Sequence, residues 1–335
     1  MCTLLTNSVE HSNELMRQLR NVTSLVVQSS ISVPRKKNAF SYLCHPRKYP
    51  AGEAAIRALL ASAQNPHVRA FYRDPSKAPA EFKENSRFTA LQADVGSGSG
   101  IDFEGSDAVF YIPPPAMDGT DVEVFAKKSS DAIKSAIKAS STDKRLLVLS
   151  AIAAQNDHGI GVLRLNHLTD KFLASAADEV TVVRPCLFYH MWADAVRTAK
   201  QDSPSFVSTI HPADWRVPMV SVRDLGEWSA KQLLDDSKHP PLQTFKFYGP
   251  RLVSPNDVKR DLETIVGKEV SMTTIPPEKQ AEFWAELVPQ EYVQDFVEYQ
   301  TCQLPGGVAV PDFVYDEHTV RANTELLEEL RELAG

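Results

Sequence analysis

The sequence predicts an α/β protein whose main layer is a doubly wound parallel sheet, followed by a smaller α-rich lobe. From residue 39 to about residue 200, short β-prone runs alternate with amphipathic helical stretches, which is the pattern of repeated βαβ units. The run Arg145-Leu-Leu-Val-Leu149 is almost continuously apolar, as a strand covered on both faces requires. Beyond Asp202 the alternation loosens, and from Pro277 onward helical periodicity dominates.

Composition favours a globular protein that acts on a small molecule. The chain has 335 residues, 43% of them hydrophobic, which suffices for one sizeable core and a smaller lobe. A net charge of −7 argues against nucleic acid as a partner, since phosphates need a basic surface. The four cysteines lie far apart without C-x-x-C spacing, so neither a metal site nor a disulfide framework is predicted. With no long apolar run and no secretory signal, we expect a cytoplasmic protein and no membrane partner.

The stretch from Phe40 to Arg73 has the pattern of a nucleotide-binding unit. An apolar run ending at Cys44 predicts a strand, Gly52 opens a helix that continues to Ala61, and a second short strand ends at Tyr72. In such a unit the turn lets a pyrophosphate approach the backbone N–H groups at the start of the helix. The sequence therefore predicts a dinucleotide site at this turn.

The remaining predicted elements place several polar or special residues at one edge of the sheet. Further strands are predicted at 88–92, 108–112, 145–149 and 180–183, with helices at 122–139 and 165–177. Further along the chain, a helix is predicted to begin near Val253, capped by Ser254 or Asn256. Helices are predicted around Phe283 and Tyr292 and from Thr319 to Leu333. The predicted strand ends that would share the carboxyl edge are Arg73, Asp94, Ile112, Ser150 and Pro185.

From Gly52 onward the chain resembles the NmrA-like family of atypical short-chain dehydrogenase/reductases, which have a Rossmann core. The family turn reads G-x-x-G-x-x-G, and counting back from Gly52 puts Pro46 and Tyr49 in place of the other two glycines. The resemblance divides the chain into an atypical N-terminal extension (1–38), a Rossmann core (39–200) and a C-terminal substrate lobe with returning core elements (201–335). Either the extension replaced an ordinary first strand and turn, or residues 24–28 supply that strand and an insertion follows.

Arg73 indicates NADP(H) rather than NAD(H) as the cofactor. Enzymes that prefer NAD usually carry an acidic residue at the end of the second strand, whereas an arginine there accommodates the 2′-phosphate of NADP. The resemblance assigns this role to Arg73 and Lys77. The alternative is a surface arginine paired with Asp74.

The resemblance also implies the other residues that are expected to bind the cofactor. Asp94 resembles the residue that meets the adenine side, although an ordinary turn aspartate would look the same. Pro113-Pro-Pro115 resembles the loop over the pyrophosphate and ribose, although three prolines also make a rigid turn that ends a strand. The residues expected to bind cofactor are Gly52, Arg73, Lys77, Asp94, Ile112, Pro113, Pro114, Lys171 and Pro185.

The expected catalytic residues are Ser150, His167 and Lys171. Ser150 stands where short-chain dehydrogenases keep the serine that binds the substrate carbonyl. His167 and Lys171 are four residues apart, hence on one helical face, in the place of the usual Tyr-x-x-x-Lys pair. An imidazole can donate a proton to a carbonyl that is being reduced, whereas the neighbouring Asn166 cannot titrate. The alternative for His167 is a histidine on the helix surface.

These expectations lead to an NADP(H)-dependent oxidoreductase that acts on an apolar carbonyl, imine or quinone, in keeping with secondary metabolism. A rival is a regulator of the same fold that senses NADP and binds a protein partner without turnover. A third hypothesis is a variant with impaired cofactor binding, because the turn keeps only one of the three family glycines. The aromatic residues that could line the substrate pocket, or belong to the core, are Phe188, Tyr189, Trp192, Trp215, Phe283, Trp284, Tyr292 and Phe296.

Overall fold

The structure, a computed structural model, describes residues 27–28, 39–43, 50–115, 119–140 and 145–335. The turn residues Pro46 and Tyr49 lie outside the described residues, as does all of the 1–38 extension except Val27–Gln28. The proposals that concern them therefore rest on sequence alone.

The described chain alternates strands and helices as predicted. The strands are β1 (Val27–Gln28), β2 (Ala39–Leu43), β3 (His67–Tyr72), β4 (Phe88–Gln92), β5 (Ala108–Tyr111), β6 (Arg145–Leu149), β7 (Glu179–Pro185), β8 (Leu187–Phe188), β9 (Ser205–Ser208), β10 (Val217–Val220), β11 (Leu242–Tyr248), β12 (Leu252–Val253), β13 (Ser271–Thr274) and β14 (Thr319–Arg321). The helices are α1 (Pro50–Ala61), α2 (Ala80–Lys83), α3 (Val122–Ala139), α4 (Arg164–Leu173), α5 (Ala193–Ala199), α6 (Val222–Leu234), α7 (Pro255–Val266), α8 (Gln280–Ala285), α9 (Val293–Thr301) and α10 (Leu326–Ala334).

The main sheet confirms the predicted doubly wound architecture. Its parallel strands follow the order β4-β3-β2-β5-β6-β7-β11-β14. The first strand of the nucleotide unit is Ala39–Leu43, which pairs with β3 on one side and β5 on the other. Val27–Gln28, the described part of the alternative first strand at 24–28, instead pairs antiparallel to β3. The order reverses at β2, which is where open α/β sheets bind their ligands.

Both faces of the sheet are buried, as the apolar strands predict. Successive residues of β6 alternate between two core layers: Leu147 and Leu149 belong to one, Leu146 and Val148 to the other. All four residues of β5 are buried and divide in the same way. This alternation follows from the two-residue repeat of a strand, and it explains why β5 and β6 carry almost no polar side chains.

Helix α1 begins at Pro50, two residues before Gly52, where the sequence predicted its start. Proline suits the first helical position because its fixed φ is helical and its missing N–H would be unpaired there anyway. Gly52 therefore lies inside the first turn of α1 and is buried. The close contact of α1 with α6 depends on another glycine, Gly226, where an added Cβ would meet the Ala54 carbonyl carbon at 2.5 Å.

The C-terminal part extends the main sheet as well as covering it. Strand β11 lies beside β7, and β14 lies beside β11. The prediction of one helix from Thr319 to Leu333 is wrong in its first part, because Thr319–Arg321 forms β14 and α10 begins only at Leu326. The β-branched Thr319 and Val320 pair with the open edge of β11, and that pairing outweighs local helical periodicity. Ser254 caps α7, as one of the two predicted alternatives requires.

Two features of the described residues concern the expected absence of a membrane partner and of a metal. No described helix is long and apolar enough to cross a membrane. Within the same residues, no group of three histidine, cysteine or acidic side chains is arranged to hold a metal ion.

Candidate functional site

A cavity of about 700 Å³ lies at the carboxyl ends of β5, β6 and β7. Ile112 and Pro113 follow β5, Ser150 follows β6, and Pro185 ends β7, so parallel strands bring these predicted residues into one wall. Ala51, in the first turn of α1, also reaches the cavity. A pocket of this size at the carboxyl edge of the sheet is the usual ligand site of a doubly wound protein.

The opposite wall is α9, held against the core by a close backbone contact. Gly161 has φ +52°, and a Cβ added to it would lie 1.8 Å from the Asp295 carbonyl oxygen. The tight turn at Gly161–Leu163 therefore touches the backbone of α9 with no room for a side chain. This contact determines how closely the C-terminal part covers the cavity.

Ser150 is part of a buried polar network at the cavity wall. Its hydroxyl donates to Asp170 Oδ2 at 2.8 Å, and the same oxygen accepts from Arg184 Nε at 3.1 Å and Nη2 at 2.9 Å. Burial raises the pKa of Asp170, while the Arg184 guanidinium and the Ser150 hydroxyl act in the opposite direction. Since a hydroxyl has one hydrogen, Ser150 can only accept a hydrogen bond from a ligand while this network is intact.

His167 and Lys171 do not line the cavity. Among the described residues, the nearest polar partner of His167 is the Ala154 carbonyl, to which Nδ1 donates at 3.0 Å. Lys171 is exposed on the outer face of α4. Their roles as proton donor and ribose ligand stay predictions.

The inward face of α4 is instead formed by Asn166, which lines the cavity, and Asp170. These residues are one position before the predicted pair, and one position turns a helix by about 100°. The i, i+4 spacing in the sequence fits either pair equally well. The one signal that favours the buried pair is the complementary charge of Arg184 at the end of β7, which only the sheet brings close.

Two titratable side chains of the cavity were missed by the sequence analysis. His190 Nδ1 is buried without a hydrogen-bond partner among the described residues, and burial lowers the pKa of this imidazole. Asp295 is half-buried on α9, and burial raises the pKa of its carboxyl. Neither residue belongs to a recognisable motif, so only the packing of α9 and of the segment after β8 reveals them.

The comparisons with known proteins agree with this architecture. No protein-family model matches the chain, and the comparison with curated proteins finds no match. Among solved structures, an NADPH-dependent quinone oxidoreductase from Escherichia coli, solved with NADPH, superposes with a TM-score of 0.67 at 16% identity, covering 87% of this chain and 98% of that one. A triphenylmethane reductase from Citrobacter sp., solved with NADP(H), gives 0.67 at 16% identity, covering 84% and 96%. The negative transcriptional regulator NmrA gives 0.53 at 13% identity, covering 76% and 79%.

The chain has the NmrA-like Rossmann fold. In this NmrA-like fold, the predicted 2′-phosphate residues lie at the end of β3. Arg73 and Lys77 are both exposed, and no ion pair joins either of them to a described carboxylate. The alternative pairing of Arg73 with Asp74 is not formed; Asp74 Oδ1 accepts instead from the backbone N–H and the hydroxyl of Ser76. Both cations therefore remain available to a phosphate.

Asp94 and Gly52 have local roles in the NmrA-like fold that fit either interpretation. Asp94 Oδ1 accepts from the Gly96 N–H at 3.0 Å, which is the ordinary turn role for a strand-end aspartate. Gly52 leaves one position in the first turn of α1 without a side chain. A pyrophosphate at this helix start, with cations at the end of β3, suits the residues that are present.

The aromatic cluster is divided between the cavity and the core. Phe188, Tyr292 and Phe296 line the cavity, together with Tyr299, which was not in the predicted set. The other predicted aromatics do not line it: Tyr189, Trp192, Trp215, Phe283 and Trp284. Among them, Tyr189 and Trp192 are buried in the core, and Trp284 packs on Phe296 with ring centroids 4.9 Å apart.

Proposed function

We propose that the chain is an NADP(H)-dependent oxidoreductase that reduces a small apolar carbonyl, imine or quinone. The observation that carries this proposal is the cavity of about 700 Å³, which is mainly apolar and lies at the carboxyl ends of three central strands beside the start of α1. The solved structures with NADPH or NADP(H) that share the fold support a nicotinamide cofactor. A cytoplasmic location and a place in secondary metabolism belong to this proposal.

The residues present suit NADP(H) along one edge of the sheet. The start of α1 with Gly52 would receive the pyrophosphate, and Arg73 and Lys77 the 2′-phosphate. When bound, the reduced nicotinamide supplies a hydride. The residues proposed to line the remaining path are Asp94 on the adenine side, then Ile112, Pro113, Pro114 and Pro185, with Lys171 as the ribose ligand.

Ser150 would orient the ligand in the cavity. Its oxygen accepts while its hydrogen is donated to Asp170, so it suits a ligand N–H or O–H group. Donation to a carbonyl oxygen, the role that the resemblance implies, requires the hydroxyl to leave Asp170. With Nδ1 donating to the Ala154 carbonyl, His167 would serve as proton donor through its other ring nitrogen, Nε2.

A second candidate is an NADP-binding regulator that binds a protein partner. The observation in its favour is that the hydroxyl of Ser150, which was predicted to bind a substrate carbonyl, already donates to Asp170. The similarity to the negative transcriptional regulator NmrA is compatible with it.

Titration of the purified protein with NADPH, followed by nicotinamide fluorescence, tests the shared part of both candidates. Saturable binding supports them, and its absence supports the cofactor-impaired alternative raised by Pro46 and Tyr49. Consumption of NADPH with a panel of quinones, carbonyls and imines then supports the enzyme. Tight binding without consumption of NADPH by any member of the panel would contradict the enzyme and favour the regulator.

A further inference from the structure

His190 lies on a short turn that the core holds in place. Tyr189–Trp192 forms a single 3₁₀ turn directly after β8, which pairs with β10. A 3₁₀ helix repeats every three residues, so Tyr189 and Trp192 share one face, and both are buried in the core. His190 is rotated away from that face and lines the cavity, with its ring centroid 5.6 Å from that of Phe188. The position of the imidazole is therefore determined by the packing of its neighbours.

The two ring nitrogens of His190 have different surroundings. Nδ1 is buried and has no hydrogen-bond partner among the described residues. Nε2 has no partner there either, but it is not sealed from solvent, so it is the nitrogen that a ligand in the cavity can reach. Burial lowers the pKa of the imidazole, so the ring is neutral near pH 7 and carries one nitrogen-bound hydrogen.

The burial of Nδ1 decides which nitrogen of His190 carries that hydrogen. A buried N–H without an acceptor is one of the rarest defects of folded proteins, whereas an unpaired acceptor is less rare. The tautomer with its hydrogen on Nε2 leaves only a lone pair buried at Nδ1 and presents the N–H to the cavity. The opposite tautomer would bury an unpaired N–H, so His190 favours a ligand that accepts.

Three other polar side chains of the cavity do not select for an acceptor in this way. The hydroxyl hydrogen of Ser150 is donated to Asp170, which leaves the Ser150 oxygen as an acceptor. The Tyr292 hydroxyl and the Asn166 amide can each donate or accept, so they suit both kinds of ligand. His190 is therefore the lining residue that distinguishes best between a ligand with an acceptor and one without.

We propose that His190 is a specificity-determining residue of the cavity, and that its Nε2–H binds an acceptor oxygen of the ligand. That this oxygen belongs to the group being reduced rests on the proposed function, and there the N–H would stabilise negative charge on the oxygen. The hydrogen bond itself does not rest on the proposed function, because it requires only that the ligand occupies the cavity.

Two ligands that differ at a single position test this assignment without cofactor. 1-Tetralone carries a carbonyl where tetralin carries a CH₂ group, and calorimetry measures the affinity of the protein for each. His190→Leu should reduce the ratio of the two affinities by about two- to tenfold in favour of tetralin, the worth of one neutral hydrogen bond. His190→Gln should retain most of the ratio, because its amide NH₂ can replace the Nε2–H.

The infrared stretching frequency of the bound carbonyl reports the contact directly. A hydrogen bond to a carbonyl oxygen lowers this frequency, and a ¹³C label at the carbonyl of 1-tetralone separates its band from those of the protein. The frequency should rise in His190→Leu. His158→Leu is the matched control, because His158 is exposed and does not line the cavity. It should retain both the affinity ratio and the frequency of the parent.

A lower affinity ratio with a higher carbonyl frequency in His190→Leu, but not in His158→Leu, supports the proposal. It is overturned if the parent does not bind 1-tetralone, or if the ratio or the frequency is unchanged in His190→Leu. Loss of the ratio in Ser150→Ala instead would assign the oxygen to the serine and overturn it as well. NADPH affinity, measured separately by nicotinamide fluorescence, tests the proposed function, so the two failures are distinguishable.

Discussion

Gly161→Ala tests the contact that closes the cavity. Gly161 has φ +52°, and a Cβ added there would lie 1.8 Å from the Asp295 carbonyl oxygen and 2.9 Å from the Tyr299 backbone nitrogen. Both obstacles are backbone atoms of one helix, so no side-chain rotation can relieve them. The turn and α9 must separate by more than an ångström to restore ordinary contact distances.

The structure provides an internal reference for the size of the effect. Gly159 has φ +66°, but a Cβ there would meet only the two methyl groups of Val308, at ordinary distances of 3.7 and 3.9 Å. Gly159→Ala should therefore cost only the left-handed backbone strain, about 1–2 kcal/mol. Gly161→Ala should add the cost of overpacking, about 1–3 kcal/mol more.

Urea unfolding of both variants beside the parent measures the difference. We expect Gly161→Ala to unfold at a clearly lower urea concentration than Gly159→Ala, with an unchanged slope. Equal unfolding midpoints for the two variants would refute the close approach of α9 to this turn.

Three further predictions concern the cofactor and the Ser150 network. Arg73→Ala should lower the preference for NADPH over NADH by roughly ten- to a hundredfold, the worth of a charge-assisted phosphate contact; an unchanged ratio of dissociation constants would contradict the assignment. Asp170→Asn should lower the free energy of unfolding by about 3 kcal/mol, the lower end of the range for a broken buried ion pair, because it leaves the Arg184 guanidinium without its anion. Ser150→Ala should lower the free energy of unfolding by only about 1 kcal/mol. A larger loss in Ser150→Ala than in Asp170→Asn, measured by urea unfolding, would argue against the ion pair. Glycine at both Pro46 and Tyr49 should tighten NADPH binding by roughly 10²- to 10⁴-fold if two backbone contacts are restored; unchanged tight binding would place the phosphate turn elsewhere.

Local pattern was sufficient for the elements that the site is built on. The apolar run of β6 could be assigned because a strand buried on both faces has no polar alternation. The ends of β5, β6 and β7 could be placed at one edge because parallel strands share their direction. Ile112, Pro113, Ser150 and Pro185 consequently met in the cavity as the strand order implied.

Contacts between segments far apart in the sequence decided the features that local pattern could not predict. Thr319 and Val320 fit a helical pattern, yet they form a strand because the edge of β11 offers backbone partners from distant sequence. Spacing along α4 gives a period but not the rotation of the helix about its axis, so it could not show that Asn166 and Asp170, rather than His167 and Lys171, form the inward face. That rotation depends on Asp170 meeting Arg184, and the two are joined only through β6 and β7.

The sequence by itself determined the α/β class, the parallel sheet and the edge at which a ligand would lie, because these follow from local periodicity and from the direction of the strands. Only the tertiary structure decided which side chains enter the cavity. Asp295 and His190 come from segments far along the chain, and their pKa shifts arise from burial that no local pattern encodes. The hydrogen of Ser150 is directed by Asp170 and Arg184, a contact between side chains on different elements. The chemistry at this edge therefore depends on tertiary packing, whereas the position of the edge follows from the pattern and direction of the strands.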